Sequence, residues 1–146
     1  MATANTLRRL VPADYSALMD LWSASGLPCK PSGRDSRVEV ERQLGLEHVA
    51  FFGLFQGERM IGSALATHDE RKGWVNRVAV HPEHRRQGHG RRLIQASEDW
   101  LASCGLEIFA CLVEGWNEIS RQTVLASGYE PFEGVCYFTK RLRPDV

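Results

Sequence analysis

Apolar and polar positions along this chain repeat with two periods, one typical of helices and the other of strands. Runs rich in aromatic and β-branched residues predict strands at residues 6–11, 49–55, 60–67, 74–80, 106–113, 129–132 and 135–142. Apolar residues three and four apart predict helices at residues 12–25, 38–46, 89–104 and 117–127. The elements therefore follow one another as a strand, two helices, three strands, a helix, a strand, a helix and two strands.

Glycine and proline residues support these boundaries. Pro12 suits the first turn of a helix, and Gly26, Gly105 and Gly128 are natural helix stops. Gly57 lies in a short hairpin turn between two of the strands. Three consecutive strands without an intervening helix do not fit a doubly wound nucleotide-binding fold. We therefore predict a mixed α/β sheet, of the α+β type, with an antiparallel front half.

Length and composition fit one globular domain over residues 1–146, with 43% hydrophobic and 25% charged residues. The 18 basic and 18 acidic residues give a formal net charge of +0, which argues against binding to nucleic acid or an anionic membrane. No segment approaches the ~20 consecutive apolar residues of a membrane span. The N-terminus lacks the apolar core of a secretory signal, so we predict a cytoplasmic protein.

Cysteine and histidine residues give no sign of a disulfide framework or a metal site. The four cysteines are far apart in the chain and form no Cys-x-x-Cys pair; they are Cys29, Cys104, Cys111 and Cys136. This spacing predicts reduced thiols, most of them buried as small apolar side chains. His81 and His84 lie close together without a third ligand nearby, so no metal is expected.

The most informative motif is the turn of residues 85–90, Arg-Arg-Gln-Gly-His-Gly, which joins a predicted strand to a predicted helix. A helix start carries unpaired amide groups and the positive end of the helix dipole, and both favour an anion. Gly88 and Gly90 allow backbone amides to approach that anion without an intervening Cβ. The arginines add charge-assisted hydrogen bonds. We expect the diphosphate of a nucleotide-tailed cofactor at this turn.

This turn resembles the signature of the GNAT superfamily, the general acetyl-CoA-dependent N-acetyltransferases. The signature is Arg or Gln, two residues, Gly, one residue, then Gly or Ala, and Arg85, Gly88 and Gly90 match it. Upstream, residues 78–83, Val-Ala-Val-His-Pro-Glu, are similar to the strand and Pro-Glu turn of the family.

A second motif extends the resemblance towards the C-terminus. Asn117 and the helix that ends at Gly128-Tyr129 resemble the second cofactor motif of the family. The similarity covers residues 6–142. Within the superfamily, residues 21–27 and 69–73 look most like those of a small subgroup of bacterial acetyltransferases.

The resemblance implies an N-acetyltransferase with acetyl-CoA as co-substrate and no metal. The enzyme would transfer the acetyl group to a primary amine of a small molecule or peptide by direct attack. The implied GNAT fold is a mixed, mostly antiparallel central sheet of about seven strands flanked by about four helices. The resemblance also includes a homodimer, because strands after Tyr129 often pair across dimers in this family.

The resemblance also assigns cofactor contacts. The CoA diphosphate would lie against the backbone amides of six consecutive residues, Arg86, Gln87, Gly88, His89, Gly90 and Arg91. Main-chain groups of Val78 and Val80 would pair with the pantetheine arm like an added strand. An amide near Ala79 would polarise the thioester carbonyl. Asn117 would bind the pantetheine or help to hold the neighbouring strands apart.

The chain departs from the family at two catalytic positions. Members often carry a carboxylate where this chain has Asn76 and Arg77, and a tyrosine where it has Val124. Glu114 is the remaining candidate for the general base, although a solvated strand end would also explain it. Tyr129 is a candidate acid for the leaving thiolate, although an aromatic residue there also suits the core.

The acceptor would be chosen by loops near these positions. Trp116 could stack on a substrate or pack against the edge of the sheet. Arg34 and Asp35 lie where the family builds the wall of the acceptor site, and they could recognise the charge of an acceptor. Charged residues are also common in surface loops, so both interpretations stay open.

Two other function classes compete with the enzyme. The missing carboxylate and tyrosine allow an acyl-CoA-binding module with a degenerate active site, acting as a sensor or scaffold. A small RNA-binding domain would use the arginines of residues 85–92, but a net charge of +0 and the lack of interleaved aromatic residues argue against it.

Overall fold

The computed structural model describes residues 4–146. Within them the strands are β1 (Asn5–Arg9), β2 (Val49–Gln56), β3 (Arg59–His68), β4 (Gly73–Val80) and β5 (Phe109–Ala110). The α-helices are α1 (Tyr15–Ser25), α2 (Arg37–Leu44), α3 (His89–Ser103) and α4 (Glu118–Ala126). Short 3₁₀ turns form at Pro12–Asp14 and Pro82–His84. Up to α4 this is the predicted order of elements.

The five strands form one sheet in the order β1-β2-β3-β4-β5. The first three pairings are antiparallel, and β5 joins β4 in parallel after the α3 crossover. Short turns connect β2 to β3 and β3 to β4, whereas α1 and α2 lie between β1 and β2. The observed architecture confirms the predicted mixed, mostly antiparallel α/β sheet.

Helices cover both faces of the sheet, and alternate residues of β2 point to opposite sides. Phe52 and Leu54 pack in the cluster beneath α3, whereas Phe51 and Phe55 pack with α1 and α2. Because both of its faces are buried, β2 is almost entirely apolar. The core is thus two layers separated by the sheet, and Trp22 of α1, only 1% exposed, is central to the second layer.

The two strands predicted at residues 129–132 and 135–142 are wrong for the described chain, which has no strand after β5. The predicted strand at residues 106–113 shortens to Phe109–Ala110. A strand needs a hydrogen-bonded neighbour, and the C-terminal residues pair with no strand within residues 4–146. Phe132, Phe138 and Leu142 are instead 84%, 88% and 91% exposed.

The predicted burial of most cysteines is also wrong. All four are free thiols, but Cys104 and Cys136 are exposed, and Cys29 and Cys111 are half-buried. Cys104 caps the end of α3, and Cys136 lies in the exposed C-terminal segment, so neither position offers a core. The described chain contains no helix with both the length and the apolar character needed for a bilayer crossing.

Candidate active site

The strands β4 and β5 part almost as soon as they meet. β5 pairs with only the first two residues of β4, whereas β4 stays paired with β3 as far as Val80. The amide of His81 donates to the carbonyl of Ile61 in β3 at 2.8 Å. Because peptide groups alternate along a strand, those of Val80 and Val78 therefore face the open side. An extended ligand can add to β4 there as a further strand.

The same alternation turns the peptide groups of Ala79 towards β3. A Cβ placed on Gly62 of β3 would lie 3.3 Å from the Ala79 carbonyl oxygen, which agrees with that direction. The amide donor expected near Ala79 is thus the amide of Val78 or Val80, the two neighbours that face the opening.

Asn76 bridges the gap at the point where the strands separate. Its side-chain oxygen accepts a hydrogen bond from the amide of Leu112 at 3.1 Å, across from β4 to the chain that follows β5. Sequence reasoning recognised Asn76 only as the replacement for a carboxylate. Nothing in the local sequence indicates the bridge, because the two residues meet only through the sheet. Asn76 thus ties together the two sides of the split.

The turn after β4 presents a row of free amides at the start of α3. Arg86 and Gly88 both have left-handed backbones, with φ of 63° and 79°. Within residues 4–146, none of the amides of residues 86–91 donates to a backbone carbonyl. Left-handed residues in a turn direct successive amides towards one concavity, and the helix dipole adds partial positive charge. This concavity suits a diphosphate.

The two signature glycines serve different purposes. Gly88 is needed for its left-handed φ, since a Cβ there would meet no atom within 4 Å. A Cβ on Gly90 would lie 2.9 Å from Cγ2 of Thr123 in α4. The prediction that both glycines make room for the anion is therefore corrected: Gly90 allows α3 and α4 to approach each other.

Side chains of the turn hold its shape more than they reach outwards. The Arg85 guanidinium folds back, and its Nε donates to the Val80 carbonyl at 3.3 Å. The buried His89 ring lies 3.1 Å from the side-chain oxygen of Gln87. Burial lowers the pKa of His89 below its usual value, and the neighbouring His84 and Arg92 lower it further. His89 is therefore neutral, and only its backbone amide is available to a ligand.

A groove of about 340 Å³ extends from this turn between α3 and α4. Gly88, Arg91 and Arg92 line it on the α3 side, and Ser127 follows the end of α4 on the other. Both arginines are exposed and could pair with a second phosphate on the same ligand, and the Glu98 carboxylate also lines the groove.

The two catalytic candidates lie in different environments. Glu114 is exposed in the loop between β5 and α4, and its carbonyl accepts a hydrogen bond from the Asn117 amide at 2.9 Å. The Tyr129 hydroxyl is buried and has no hydrogen-bond partner within residues 4–146. Burial raises the pKa of Tyr129 well above its usual value, and the nearby Glu98 and Cys111 raise it further. Tyr129 therefore keeps its proton.

The loop before α4 carries two candidate ligand contacts, Asn117 and Trp116, and their side chains have different roles. Asn117 uses its side-chain oxygen to cap α4, accepting from the Ser120 amide at 3.1 Å, as expected of a helix N-cap. Trp116 is 69% exposed, so its ring is available for stacking and is not packed on the sheet.

On the other face of the sheet, the loop of residues 27–36 packs against β4. Asp35 is buried, and its carboxylate lies 3.2 Å from the Arg77 guanidinium. An acceptor cannot use a carboxylate that is already paired, so the expectation that Asp35 recognises acceptor charge is corrected. Arg34 is exposed and stays available. The described residues include no cluster of three His, Cys, Asp or Glu side chains that could hold a metal.

A split sheet edge that continues into an amide-lined helix start defines a protein for a long ligand carrying a diphosphate. Residues 15–129 match the model of the acetyltransferase (GNAT) family, so the chain belongs to this family. It therefore transfers an acetyl group from acetyl-CoA to an amine. An acetyltransferase of Sodalis glossinidius (strain morsitans) is 26% identical over 132 residues, which cover 90% of this chain and 92% of that protein.

Solved structures share the fold. An aminoglycoside acetyltransferase from an uncultured soil metagenomic sample superimposes with a TM-score of 0.80 at 19% identity, covering 95% of this chain and 97% of that chain. The aminoglycoside N-acetyltransferase AAC(6')-Iy, in complex with CoA, gives 0.80 at 22% identity, covering 97% of each chain. The PaiA N-acetyltransferase of Thermoplasma acidophilum, also with CoA, gives 0.78 at 16% identity, covering 87% and 90%.

Proposed function

We propose that this enzyme acetylates a primary amine of a small molecule by direct attack on the thioester. The observation that carries the proposal is the continuity of the site, since β4 leads from the outward-facing peptide groups of Val78 and Val80 into the free amides of residues 86–91. In this proposal the amides bind the CoA diphosphate and β4 binds the pantetheine arm. The acetyl group then lies at the split between β4 and β5.

In this arrangement the cofactor and the amine acceptor approach the site from opposite faces of the sheet. Val78 and Val80 pack with the α3 cluster, on the face where the diphosphate binds, whereas Ala79 packs with the α1 and α2 cluster. A cofactor inserted along the opening blocks the first face. The amine therefore reaches the thioester from the second face, past the loop of residues 27–36.

Proton transfer needs little from the protein. We propose that Glu114, exposed in the loop beyond the split, accepts the amine proton through water. A thiol has a pKa near ~8.5, so a thiolate leaves readily without a dedicated acid. Tyr129 has the proton that an acid requires, but its hydroxyl is buried against the core, which leaves it the weaker of the two proposals.

Aminoglycosides are the first amines to test, because two of the solved neighbours are aminoglycoside acetyltransferases. Trp116 offers an exposed ring on which a sugar or an amine-bearing ring could stack. We also place the enzyme in the cytoplasm, where its four free thiols would stay reduced. With a net charge of +0, we expect no nucleic-acid or membrane partner.

We further propose that the protein is a homodimer. The C-terminal segment of residues 130–142 exposes Phe132, Val135, Tyr137, Phe138 and Leu142. So large an apolar surface is unusual on a monomer. β5 is the last strand of the sheet, so its outer side is free to pair with a segment from a second copy. Strand addition between two copies would cover both the segment and the edge.

The function is tested by measuring CoA release from acetyl-CoA with aminoglycosides, polyamines, amino acids and short peptides, together with acetyl-CoA affinity by calorimetry. Gly88→Glu places a negative charge in the amide concavity, and we expect it to weaken acetyl-CoA binding by roughly 10- to 100-fold, or about 1.4–2.8 kcal/mol. Gly57→Glu is the matched control, because Gly57 also has a left-handed φ and open surroundings, in the β2–β3 turn.

Unchanged acetyl-CoA affinity in Gly88→Glu would contradict the placement of the diphosphate. Release of CoA with one class of amine would identify the acceptor. Tight acetyl-CoA binding without release across the whole panel would count against a small-molecule acceptor and favour the binding-module alternative.

A further inference from the structure

The backbone of Arg77 departs from the extended conformation of the strand around it. Its φ is 53°, in the left-handed region that non-glycine residues rarely adopt. The register between β3 and β4 shifts at this point, between Ser63 and Leu65. The Ser63 hydroxyl donates to the Arg77 carbonyl at 3.2 Å and accepts from the Trp22 indole at 3.0 Å. The strained conformation is thus held by a hydrogen bond from the buried Ser63, whose hydroxyl is fixed in turn by the Trp22 indole.

The side chain of Arg77 is held as firmly as its backbone. Its guanidinium lies 4.8 Å from the centre of the Trp22 ring and donates to the Pro28 carbonyl. A further N–H donates to the Asp35 carboxylate at 3.2 Å. The two charged side chains are only 14% and 9% exposed, so the pair is removed from water. Removing one partner would leave a buried charge without compensation.

Asp35 connects the fixed Arg77 side chain to the loop of residues 27–36 and restrains that loop. Its carboxylate also accepts from the Lys30 amide at 2.7 Å, and its own amide donates to the Lys30 carbonyl at 3.0 Å. The Tyr15 hydroxyl donates to the Asp35 carbonyl at 2.7 Å, which fixes the loop to α1. A single carboxylate therefore closes the loop and joins it to β4.

We propose that Arg77 and Asp35 are positioning residues for acetyl transfer, and that their ion pair holds the loop of residues 27–36 against β4 beside the opening. This inference rests on the proposed function. The residue after Arg77 is Val78, whose peptide groups face the opening, so any relaxation of Arg77 changes where the cofactor arm lies. The loop borders the face from which the amine approaches. One ion pair thus fixes both reactants relative to each other.

The test compares Asp35→Asn and Arg77→Lys with wild type, using sisomicin as the acceptor. We expect Asp35→Asn to raise the KM for sisomicin and to lower kcat/KM by about tenfold. Acetyl-CoA affinity should fall less, by no more than about threefold, because the amides of residues 86–91 that bind the diphosphate are not altered. Arg77→Lys keeps the charge but loses the planar fork, so its loss should be smaller. If Asp35→Asn fails to fold, Arg77→Lys alone carries the test, with a loss of at least about threefold in kcat/KM expected.

Asp14→Asn is the matched control, because Asp14 forms a second ion pair, with Arg8 at 2.8 Å, away from the split. It should lower the melting temperature without changing the KM for sisomicin. Equal kcat/KM for wild type and Asp35→Asn would overturn the positioning role. A loss of acetyl-CoA affinity as large as the loss of kcat/KM would overturn it as well.

Hydrogen exchange separates this inference from the choice of acceptor. If sisomicin is not acetylated, the proposal of an aminoglycoside acceptor fails. Hydrogen exchange in the acetyl-CoA complex still tests whether the ion pair couples the loop to β4. Faster exchange in both residues 27–36 and residues 77–80 of Asp35→Asn, with residues 86–91 unchanged, supports the coupling. Exchange equal to wild type in either segment overturns it.

Discussion

At the scale of single residues, two positions where the family often carries a catalytic carboxylate have structural roles in this chain. Asn76 and Arg77 stand where the family often carries a carboxylate, and neither can act as a base. Asn76 bridges the split, and Arg77 joins β4 to the loop of residues 27–36. Both positions therefore serve architecture, and the base must come from elsewhere.

Glu114→Gln tests the base at this scale. The variant keeps the size of the side chain but removes its proton affinity, so we expect kcat to fall by roughly 10- to 100-fold with little change in acetyl-CoA affinity. Steady-state kinetics measures kcat, and calorimetry measures acetyl-CoA affinity.

Glu107→Gln serves as the control, because Glu107 is an exposed glutamate in the connection before β5. Its kcat should match that of wild type. A Glu114→Gln enzyme with the wild-type kcat would remove Glu114 as the base and leave ordered water as the proton acceptor.

At the scale of elements, the approach of α3 to α4 depends on the absence of a single Cβ. Gly90 faces Thr123 so closely that an added methyl group would overlap its Cγ2. The groove between the two helices begins beside this contact, so the helix spacing also sets the groove width. A signature glycine thus shapes the cofactor site through packing.

Gly90→Ala should destabilise the protein by about 1–3 kcal/mol through overpacking, less the gain of up to about 1 kcal/mol that alanine brings to a helix. Adding Thr123→Ser removes the overlapping methyl and keeps the hydroxyl that donates to Ile119, so the double variant should regain most of the stability. Urea unfolding measures the change.

Gly45→Ala is the comparison, because a Cβ there would make only an ordinary contact of 3.6 Å with Arg42. It should lie within about 0.5 kcal/mol of wild type, as surface substitutions usually do. Failure of Thr123→Ser to rescue Gly90→Ala would show that the methyl contact is not the reason for the glycine.

At the scale of the whole molecule, the exposed C-terminal segment predicts association of two copies. Light scattering after size exclusion should give about twice the chain mass of 16.4 kDa. Phe138→Glu, in the middle of the segment, should shift the protein towards the monomer, because the charge would have to enter the interface.

Val38→Glu is the control for dimerisation, since Val38 is 74% exposed on α2 and lies outside the segment. Its mass should equal that of wild type. A monomeric wild-type protein at micromolar concentration would contradict the homodimer proposal.

The sequence by itself determined the elements from β1 to α4 and the class of ligand. Period and turn residues are local, so the turn at Gly57 and the helix cap at Asn117 could be interpreted correctly without coordinates. The same local signals were wrong for residues 129–142, because their alternating pattern fits a strand, but strand formation depends on pairing with another segment, and these residues pair with none in the described structure.

Only the tertiary structure decided which contacts these residues make. Asn76 and Leu112, or Asp35 and Arg77, are far apart in the chain and meet through the sheet, so no spacing rule could pair them. Gly90 likewise shows its purpose only when α4 lies against it. Periodicity is a property of one segment, whereas a bridge, an ion pair or a steric limit belongs to two.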